Sequence, residues 1–370
     1  MKTAKISILA AILLLSACQK AETDEPQSVP TGGVPLRLVS GISTIVTRAF
    51  DSSWEKSDAI GVFTVNKPEG TTASAITYSG TQRDENIKYT ISADAFETNT
   101  ATSVETDNNG IPAFKSFEPG SSQIYLPANG SAVDVYAYYP WTMGVTASEP
   151  LSITIPTPQN VTNQKAVDIL TAKATASTDK EPDPSATYYP INIDHTTAQL
   201  QFSHIMSKVL VRVVVGEGYG GSDLNGTNIS SVVLSGQPTA ATFAPVAQTL
   251  GITAGSSSIT MAELASGDAD YVATTTISSV EHDVIHNYRA IILPNTDATG
   301  TNPVTSGTER QIQFNVGSIT YSYNITQTFQ PGYQTVYTII LAANEVTVTA
   351  AITPWTPNAI PITEPLYPNS

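Results

Sequence analysis

The chain has 370 residues, with 32 acidic and 17 basic side chains and a formal net charge of −15. An acidic surface repels phosphate backbones and anionic headgroups, which argues against nucleic acid as a partner. Hydrophobic residues make up 41% of the chain and charged residues 13%, which is typical of a folded extracellular β-protein and unlike a disordered chain.

The first residues have the pattern of an export signal. Two lysines precede an apolar run, Ile6 to Leu15, that is too short to span a bilayer. The run ends at Ala17 and Cys18, and Cys18 is the only cysteine in the chain, so no internal disulfide can form. We predict a lipoprotein signal peptide over residues 1–17, with cleavage between Ala17 and Cys18 and lipid attachment to Cys18. An ordinary signal peptide with an incidental cysteine is the alternative.

Residues 18–33 are acidic and then rich in proline and glycine. Nothing in this stretch is apolar enough to fold, so we predict a flexible tether.

Alternating apolar residues predict short β-strands along the rest of the chain. Clusters of Gly, Pro, Asn, Asp and Ser separate these runs, which predicts an all-β fold of sandwiches or barrels. Residues 162–174 could form at most a short helix. The period-two runs are Val133, Val135, Ala137; Val209, Val211, Val213, Val215; Ile312, Phe314, Val316; Ile319, Tyr321, Tyr323, Ile325; and Val346, Val348, Ala350, Ile352.

The length of the chain suggests two domains, since a domain has about 150 residues on average. A polar, proline-containing stretch ends near residue 200, give or take ten, where a new apolar run begins. We therefore predict an N-terminal domain over 34–199 and a C-terminal domain over 200–370.

A run of alternating residues between positions 34 and 48 predicts the first strand, and Gly41 predicts a kink or bulge in it. The run stops at Arg48, and the question is whether this segment is the first strand of the fold or a piece that is cut away. Arg37 and Arg83 are competing cleavage points. The apolar face of the run consists of Val34, Leu36, Leu38, Ile42, Thr44 and Val46.

Histidines were considered as metal ligands or catalytic bases. His282 and His286 have the spacing of a zinc helix, but their neighbours favour a strand, in which residues i and i+4 lie about 13 Å apart. We expect both to be solvated, and we expect His204 to be packed rather than to form a triad with Ser203 or Ser207. No nucleophile elbow, phosphate loop or dinucleotide motif is present. We predict no enzymatic activity, no metal site and no cofactor; a metal-dependent hydrolase using His282 and His286 is a weaker alternative.

Five aromatic residues could form a platform for stacking sugars, which would make the protein a surface glycan-binding lipoprotein. The alternative, which we favour, is that they pack in the core and end strands. They are Trp54, Trp141, Trp355, Tyr138 and Tyr139.

Several phrases, in order along the chain, resemble the fimbrillin-like lipoproteins of Bacteroidales, which are subunits of type V pili. They are "TRAF", "WEKSDAIGVF", "YAYYPW", "PTPQN", "VDILTA", "FSHIMSKVLVRV", "PGYQTVYTIIL" and "VTVTAAITPW". The resemblance covers essentially the whole chain after the signal. It implies two tandem transthyretin-like Greek-key β-sandwich domains, and the acidic residues after Cys18 resemble the signal for display on the outer face of the outer membrane.

The resemblance also implies a function, that of a structural subunit or a tip or accessory adhesin of a cell-surface fimbria. An arginine-specific surface protease would cut after Arg48 and remove the first strand of the N-terminal domain. The vacated groove would accept a strand from another pilus subunit. Either the last strand, Glu345 to Trp355, swings out as the donor with the tail, or the chain is a tip subunit that accepts a strand without donating one. The further implied partners are the outer membrane, through the lipid anchor, and a host or bacterial surface ligand.

Overall fold

The computed structural model describes residues 33–42, 54–55, 58–67, 82–91, 115–174, 176–177, 189–216, 229–253, 255–295, 310–316, 319–341 and 346–355. Within these residues the regular secondary structure is almost entirely β-strand, so the predicted all-β class is confirmed. No helix in this part of the chain is long and apolar enough to cross a bilayer.

Twenty strands and one short helix are present in the described residues. In chain order they are β1 (Arg37–Ile42), β2 (Ala59–Asn66), β3 (Gln82–Ile91), β4 (Lys115–Pro119), β5 (Val133–Tyr139), β6 (Leu151–Thr154), α1 (Val161–Lys165), β7 (Leu170–Ala174), β8 (Thr197–His204), β9 (Ser207–Val215), β10 (Ile229–Gln237), β11 (Ala240–Ala244), β12 (Thr249–Ile252), β13 (Ser257–Thr260), β14 (Ala262–Glu263), β15 (Thr274–Ile277), β16 (Val280–Ile292), β17 (Gln311–Val316), β18 (Ile319–Asn324), β19 (Tyr333–Leu341) and β20 (Val346–Pro354).

The N-terminal strands form one sheet that closes on itself in the order β1-β4-β3-β2-β5-β7-β8. Closure comes from β1, which pairs with β4 on one side and with β8 on the other. The inward side chains form a continuous apolar core that includes Ile60, Val62, Val135, Leu200 and Phe202.

The remaining strands form three further sheets, with the orders β13-β10-β17-β18, β12-β11-β6 and β14-β16-β9-β19-β20, and β15 pairs with β16. Strand β6 joins one of them although it precedes β7 and β8 in the chain. A second apolar cluster fills the space between them, with Val209 and Val211 from β9 and Ile312 and Phe314 from β17. The strands predicted from alternation are all present, as β5, β9, β17, β18 and β20. The tandem Greek-key arrangement stays a prediction.

The region considered for a short helix is divided between two elements. Helix α1 spans only Val161–Lys165 and begins with a capping box, in which the side chains of Asn160 and Asn163 each accept the other residue's backbone N–H at 2.8 Å. Residues Leu170–Ala174 form β7 instead, because Leu170, Ala172 and Ala174 alternate into the core.

The predicted domain boundary at 199/200 lies inside β8. This strand pairs with β1 and β7, so the closed sheet ends only at His204, although β6 already pairs with β11 outside the closed sheet. The polar stretch used to place the boundary therefore precedes the last strand of the first sheet. The division into two domains itself stays a prediction.

Candidate functional site

Strand β1 lies between β4 and β8, two strands that do not pair with each other in the described part of the chain. It runs parallel to β8, with Arg37 opposite Thr197 and Ile42 opposite Phe202, and antiparallel to β4, with Leu38 opposite Phe117. The predicted bulge at Gly41 is wrong, since the register with β8 continues through Gly41 without a shift. The even-numbered apolar residues already share one face of a regular strand, so no bulge is needed to align them.

The apolar side chains of β1 are buried in the core of the closed sheet. Leu36 is 3% and Leu38 is 2% exposed, whereas Arg37 on the opposite face is exposed. The predicted alternation is therefore confirmed for these residues. Without β1, the groove would expose apolar side chains of β4 and β8, including Phe117 and Leu200.

Backbone hydrogen bonds outside the ladders extend the attachment of β1. Leu36 N–H donates to the Ile124 carbonyl at 2.9 Å, and Leu126 N–H donates to the Val34 carbonyl at 2.8 Å. At the start of this segment, Gly33 lies so close to the ring of Tyr125 that an added Cβ would meet it at 2.7 Å. The residues that lead into β1 are thus held by close backbone contact with the segment from Ile124 to Leu126.

Tyr89 of β3 supports the segment around Ile124, which is hydrogen-bonded to the residues before β1. Its hydroxyl accepts a hydrogen bond from Ile124 N–H at 3.0 Å and one from Gln123 Nε2 at 3.2 Å, and Gln123 Nε2 also lies 3.2 Å from the Leu36 carbonyl. Burial raises the pKa of Tyr89 to about 12. The hydroxyl therefore stays neutral at physiological pH, which suits a buried position.

The residues predicted for processing are Ala17, Cys18 and Arg48, and all three lie outside the described residues. The two competing cleavage points are described. Arg37 lies within β1 and Arg83 lies within β3, and both residues are exposed.

The chain is anchored again shortly after position 48 by Trp54. This indole is 5% exposed and makes edge-to-face contacts with Phe117, Tyr139 and Phe202, with centroids at 5.2, 5.5 and 4.9 Å. A chain cut after Arg48 would keep this anchor.

Asp58, immediately before β2, holds the same region by polar contacts. Its carboxylate accepts hydrogen bonds from Glu55 N–H at 2.7 Å and from the Tyr139 hydroxyl at 3.1 Å, and Lys165 of α1 lies 3.3 Å away. Burial raises the pKa of Asp58, although the Glu55 amide and Lys165 oppose that shift.

The aromatic residues do not form a sugar-stacking platform. Trp54, Tyr138, Tyr139 and Trp355 are all buried, with 5% exposure at most. Trp141 is half-buried, donates from Nε1 to the Asn86 carbonyl at 3.2 Å, and has the Lys88 ammonium 4.6 Å from its ring centroid. The prediction that these residues pack in the core is confirmed for the first four.

His204 is packed, as predicted. It is 7% exposed, its Nδ1 lies 2.7 Å from Oδ1 of Asp168, and its ring stacks on Trp355 with centroids 4.1 Å apart and an angle of 6°. Ser207 donates elsewhere, to the Gln330 carbonyl. The sequence did not indicate the contact with Trp355, because the two residues are far apart in the chain.

His282 and His286 lie on strand β16, as predicted, but they are not both solvated. His286 is 8% exposed, and its Nδ1 lies 2.7 Å from Oε1 of Glu263, whereas His282 lies opposite Thr275. The prediction of solvation is wrong for His286 because β14 supplies this carboxylate partner. In the described ranges no three His, Cys, Asp or Glu side chains are grouped to hold a metal ion.

Comparisons with known proteins agree with this architecture. The profile of a family described as fimbrillin-like matches residues 47–355. A relative from Bacteroides uniformis, named as a fimbrium subunit, Fim1C, is 28% identical over 366 residues, which are 96% of each chain.

Two crystal structures show the same fold. One, assigned to cell adhesion in Bacteroides uniformis, has a TM-score of 0.55 at 20% identity and covers 89% of this chain and 100% of its own. The other, assigned to cell adhesion in Bacteroides ovatus, has a TM-score of 0.52 at 19% identity and covers 88% of this chain and 98% of its own. With a family profile that matches most of its length, this chain belongs to the fimbrillin-like family.

Proposed function

We propose that the protein is a structural or tip subunit of a cell-surface pilus that assembles by strand exchange after removal of β1. The observation that carries this proposal is the position of β1. It is the first described strand, it closes the sheet between β4 and β8, and it precedes the arginine that the sequence predicts as the cleavage point.

Loss of β1 would create a site that needs a new strand. Backbone donors and acceptors of β4 and β8 would lose their partners, beside an apolar trough vacated by Leu36 and Leu38. An extended segment with alternating apolar residues would satisfy both requirements at once. Contacts of this head-to-tail kind do not close on themselves, so they produce a filament.

Strand β20 is the segment of this chain that best fits the donor role. It lies at a sheet edge, paired with β19 from Val346 to Pro354. Its described side chains are exposed except for Val348, which is half-buried, so detachment would uncover little apolar surface along the strand. Val346, Val348, Ala350 and Ile352 alternate as the groove requires.

Export and anchoring complete the proposal. Cys18 would carry the lipid that holds the precursor at the outer membrane, and an arginine-specific surface protease would cut after Arg48. Other pilus subunits are the partners at the groove, and a host or bacterial surface ligand is the partner of a tip subunit.

Replacing Cys18 by Ala should move the protein from the membrane fraction to the soluble fraction and abolish palmitate labelling.

The test of strand exchange is cleavage of the purified precursor, from residue 18 onward, with an arginine-specific protease. We expect a product that begins at Ala49, a ladder of SDS-resistant oligomers on gels, and filaments by electron microscopy. Arg48→Ala should stay uncut at this position and remain monomeric.

Arg83→Ala is the matched control, since Arg83 is an exposed arginine that lies within β3. It should be cut and should polymerise like the wild type. Cleavage only at other positions, or the absence of oligomers after complete cleavage at Arg48, would contradict the proposal.

A further inference from the structure

Strand β8 depends on β1 for most of its described backbone pairing. The register with β1 covers Thr197 to Phe202. Among the described residues, the register with β7 covers only Ser203 and His204, and Ser177 adds an isolated bridge to Ala198. Removal of β1 therefore leaves the described backbone ladder of β8 at its C-terminal end, with Ser177 holding Ala198 and the Thr197 carbonyl at the other end.

That end of β8 is also where β20 is anchored. Trp355, directly after β20, is 2% exposed and stacks on His204, the last residue of β8, with centroids 4.1 Å apart. The Lys208 ammonium lies 5.1 Å from the indole centroid, a distance at which a cation and a ring attract each other.

The anchor is supported by the backbone around Gly332. Trp355 N–H donates to the Gly332 carbonyl at 2.9 Å, and Gly332 N–H donates to the Met206 carbonyl at 2.8 Å. Gly332 has a φ of +71°, and a Cβ there would meet the His204 carbonyl at 3.2 Å. The turn before β19, the end of β8 and the end of β20 thus form one packed unit.

Trp355 is far more buried than the residues of β20 that precede it. Ile352, three residues earlier, is 45% exposed, and its neighbours in the strand are exposed as well. Apart from the ladder with β19, the described attachments of β20 are the half-buried Val348, a hydrogen bond from Gln334 Nε2 to Thr353 Oγ1 at 3.0 Å, and Trp355, which alone is fully buried.

We propose that His204 and Trp355 are positioning residues that couple the vacated groove to the donor strand. Loss of β1 frees β8 from Thr197 to Phe202, so the strand hinges on Ser203 and His204. Movement of the freed part tilts the His204 ring against Trp355 and weakens that contact, so that β20 detaches more often. The inference rests on the proposed function, since it takes β1 as the removed strand and β20 as the donor. In the intact chain the same contacts hold β20 down and prevent premature assembly.

The coupling can be tested without proteolysis, by hydrogen exchange on the monomeric full chain. Leu38→Asp places a carboxylate in a position that is 2% exposed and so disfavours docking of β1. We expect the β20 amides to exchange at least about tenfold faster in this variant, while amides of β10 and β17 keep their wild-type rates. Arg37→Ala, an exposed position in the same strand, is the control and should leave β20 unchanged.

Trp355→Ala should raise exchange in β20 by a similar factor with β1 still docked. Ile352→Ala, in the same strand, should not. Combining Leu38→Asp with Trp355→Ala should give no further increase, because both changes act through one anchor. If Trp355→Ala does not fold, Trp355→Phe keeps a smaller ring on His204 and should give a smaller increase.

Unchanged β20 exchange in Leu38→Asp would overturn the coupling, and so would fully additive effects in the double variant. Failure of the coupling in this hydrogen-exchange experiment can be distinguished from failure of the proposed function in the polymerisation experiment. Filaments that form without any loosening of β20 would contradict the coupling alone. Loosening of β20 in a chain that never polymerises would contradict the proposed function alone.

Discussion

Lys208 donates hydrogen bonds to both carboxylate oxygens of Asp270 at 3.0 Å, although only 2% of the Lys208 side chain is exposed. The guanidinium of Arg289, which is fully buried, donates to the same carboxylate at 3.1 Å. Lys208 stands on β9 and Arg289 on the adjacent β16. Two buried cations on neighbouring strands therefore share one carboxylate from the segment between β14 and β15.

Asp270→Ala should strongly destabilise the protein. Removal of the carboxylate leaves both cations buried without their shared partner, which typically costs about 3–5 kcal/mol. Urea unfolding followed by circular dichroism measures the change. Asp283→Ala is the control, because Asp283 is exposed on β16 and should shift the free energy of unfolding by no more than about 0.5 kcal/mol. A loss below about 1 kcal/mol for Asp270→Ala would show that the cluster contributes little.

The same carboxylate predicts a dependence of stability on pH. Burial alone would raise the pKa of Asp270, but Lys208 and Arg289 together hold it below its ordinary value. The stabilisation by Asp270 is therefore fully present above about pH 4 and is lost as the pH falls through the lowered pKa. The difference in unfolding free energy between the wild type and Asp270→Asn should be constant near neutrality and should narrow in strong acid. A difference that widens on acidification would contradict the sign of the shift.

Strand positions were predictable because alternation is a local property of the sequence. Val209, Val211 and Val213 reveal β9 without knowledge of any partner. The residue that a side chain contacts, however, is often far away in the sequence. Asp270 lies 62 residues from Lys208, and nothing in the run "KVLVRVVV" indicates which carboxylate will meet its lysine.

The candidate groove was predictable only in part for the same reason. The alternation of Leu36 and Leu38 predicted a strand with one buried face, and the structure agrees. That this strand runs parallel to β8 and closes the sheet depends on contacts more than 150 residues apart, which the sequence alone did not indicate.

The buried cluster of Lys208, Arg289 and Asp270 did have a signal in the sequence. A lone lysine or arginine inside an apolar strand indicates such a cluster, because a buried cation needs a partner.

Gly33→Ala should weaken the docking of β1. The added Cβ would meet the ring of Tyr125 at 2.7 Å, and overpacking of this kind costs about 1–3 kcal/mol. Hydrogen exchange of the β1 amides should become faster while that of the β9 amides stays unchanged. Gly255→Ala is the matched control, since a Cβ there would meet nothing within 4 Å. Equal exchange of β1 in the two variants would mean that Tyr125 can move aside freely.

Trp54→Ala should be far more destabilising than Trp141→Ala. The Trp54 ring fills the core between Phe117 and Phe202, so its removal leaves a cavity and should cost about 3–5 kcal/mol. Trp141 is half-buried and contributes one hydrogen bond and the contact with Lys88, so its removal should cost about 1–2 kcal/mol. Thermal and urea unfolding of the two variants compare them directly, and equal losses would show that Trp54 is not a core residue.

Wild-type protein should migrate through polysaccharide affinity gels without retardation. A sugar ring cannot stack on Trp54, Trp355, Tyr138 or Tyr139, because all four are buried. Trp141 is the remaining aromatic residue of the suggested platform, and Lys88 lies over its ring at 4.6 Å. Trp141→Ala should therefore have the same mobility as the wild type in gels with and without polysaccharide. Retardation of the wild type that Trp141→Ala abolishes would contradict this prediction and would favour a glycan-binding role, since the half-buried indole of Trp141 would then account for the binding.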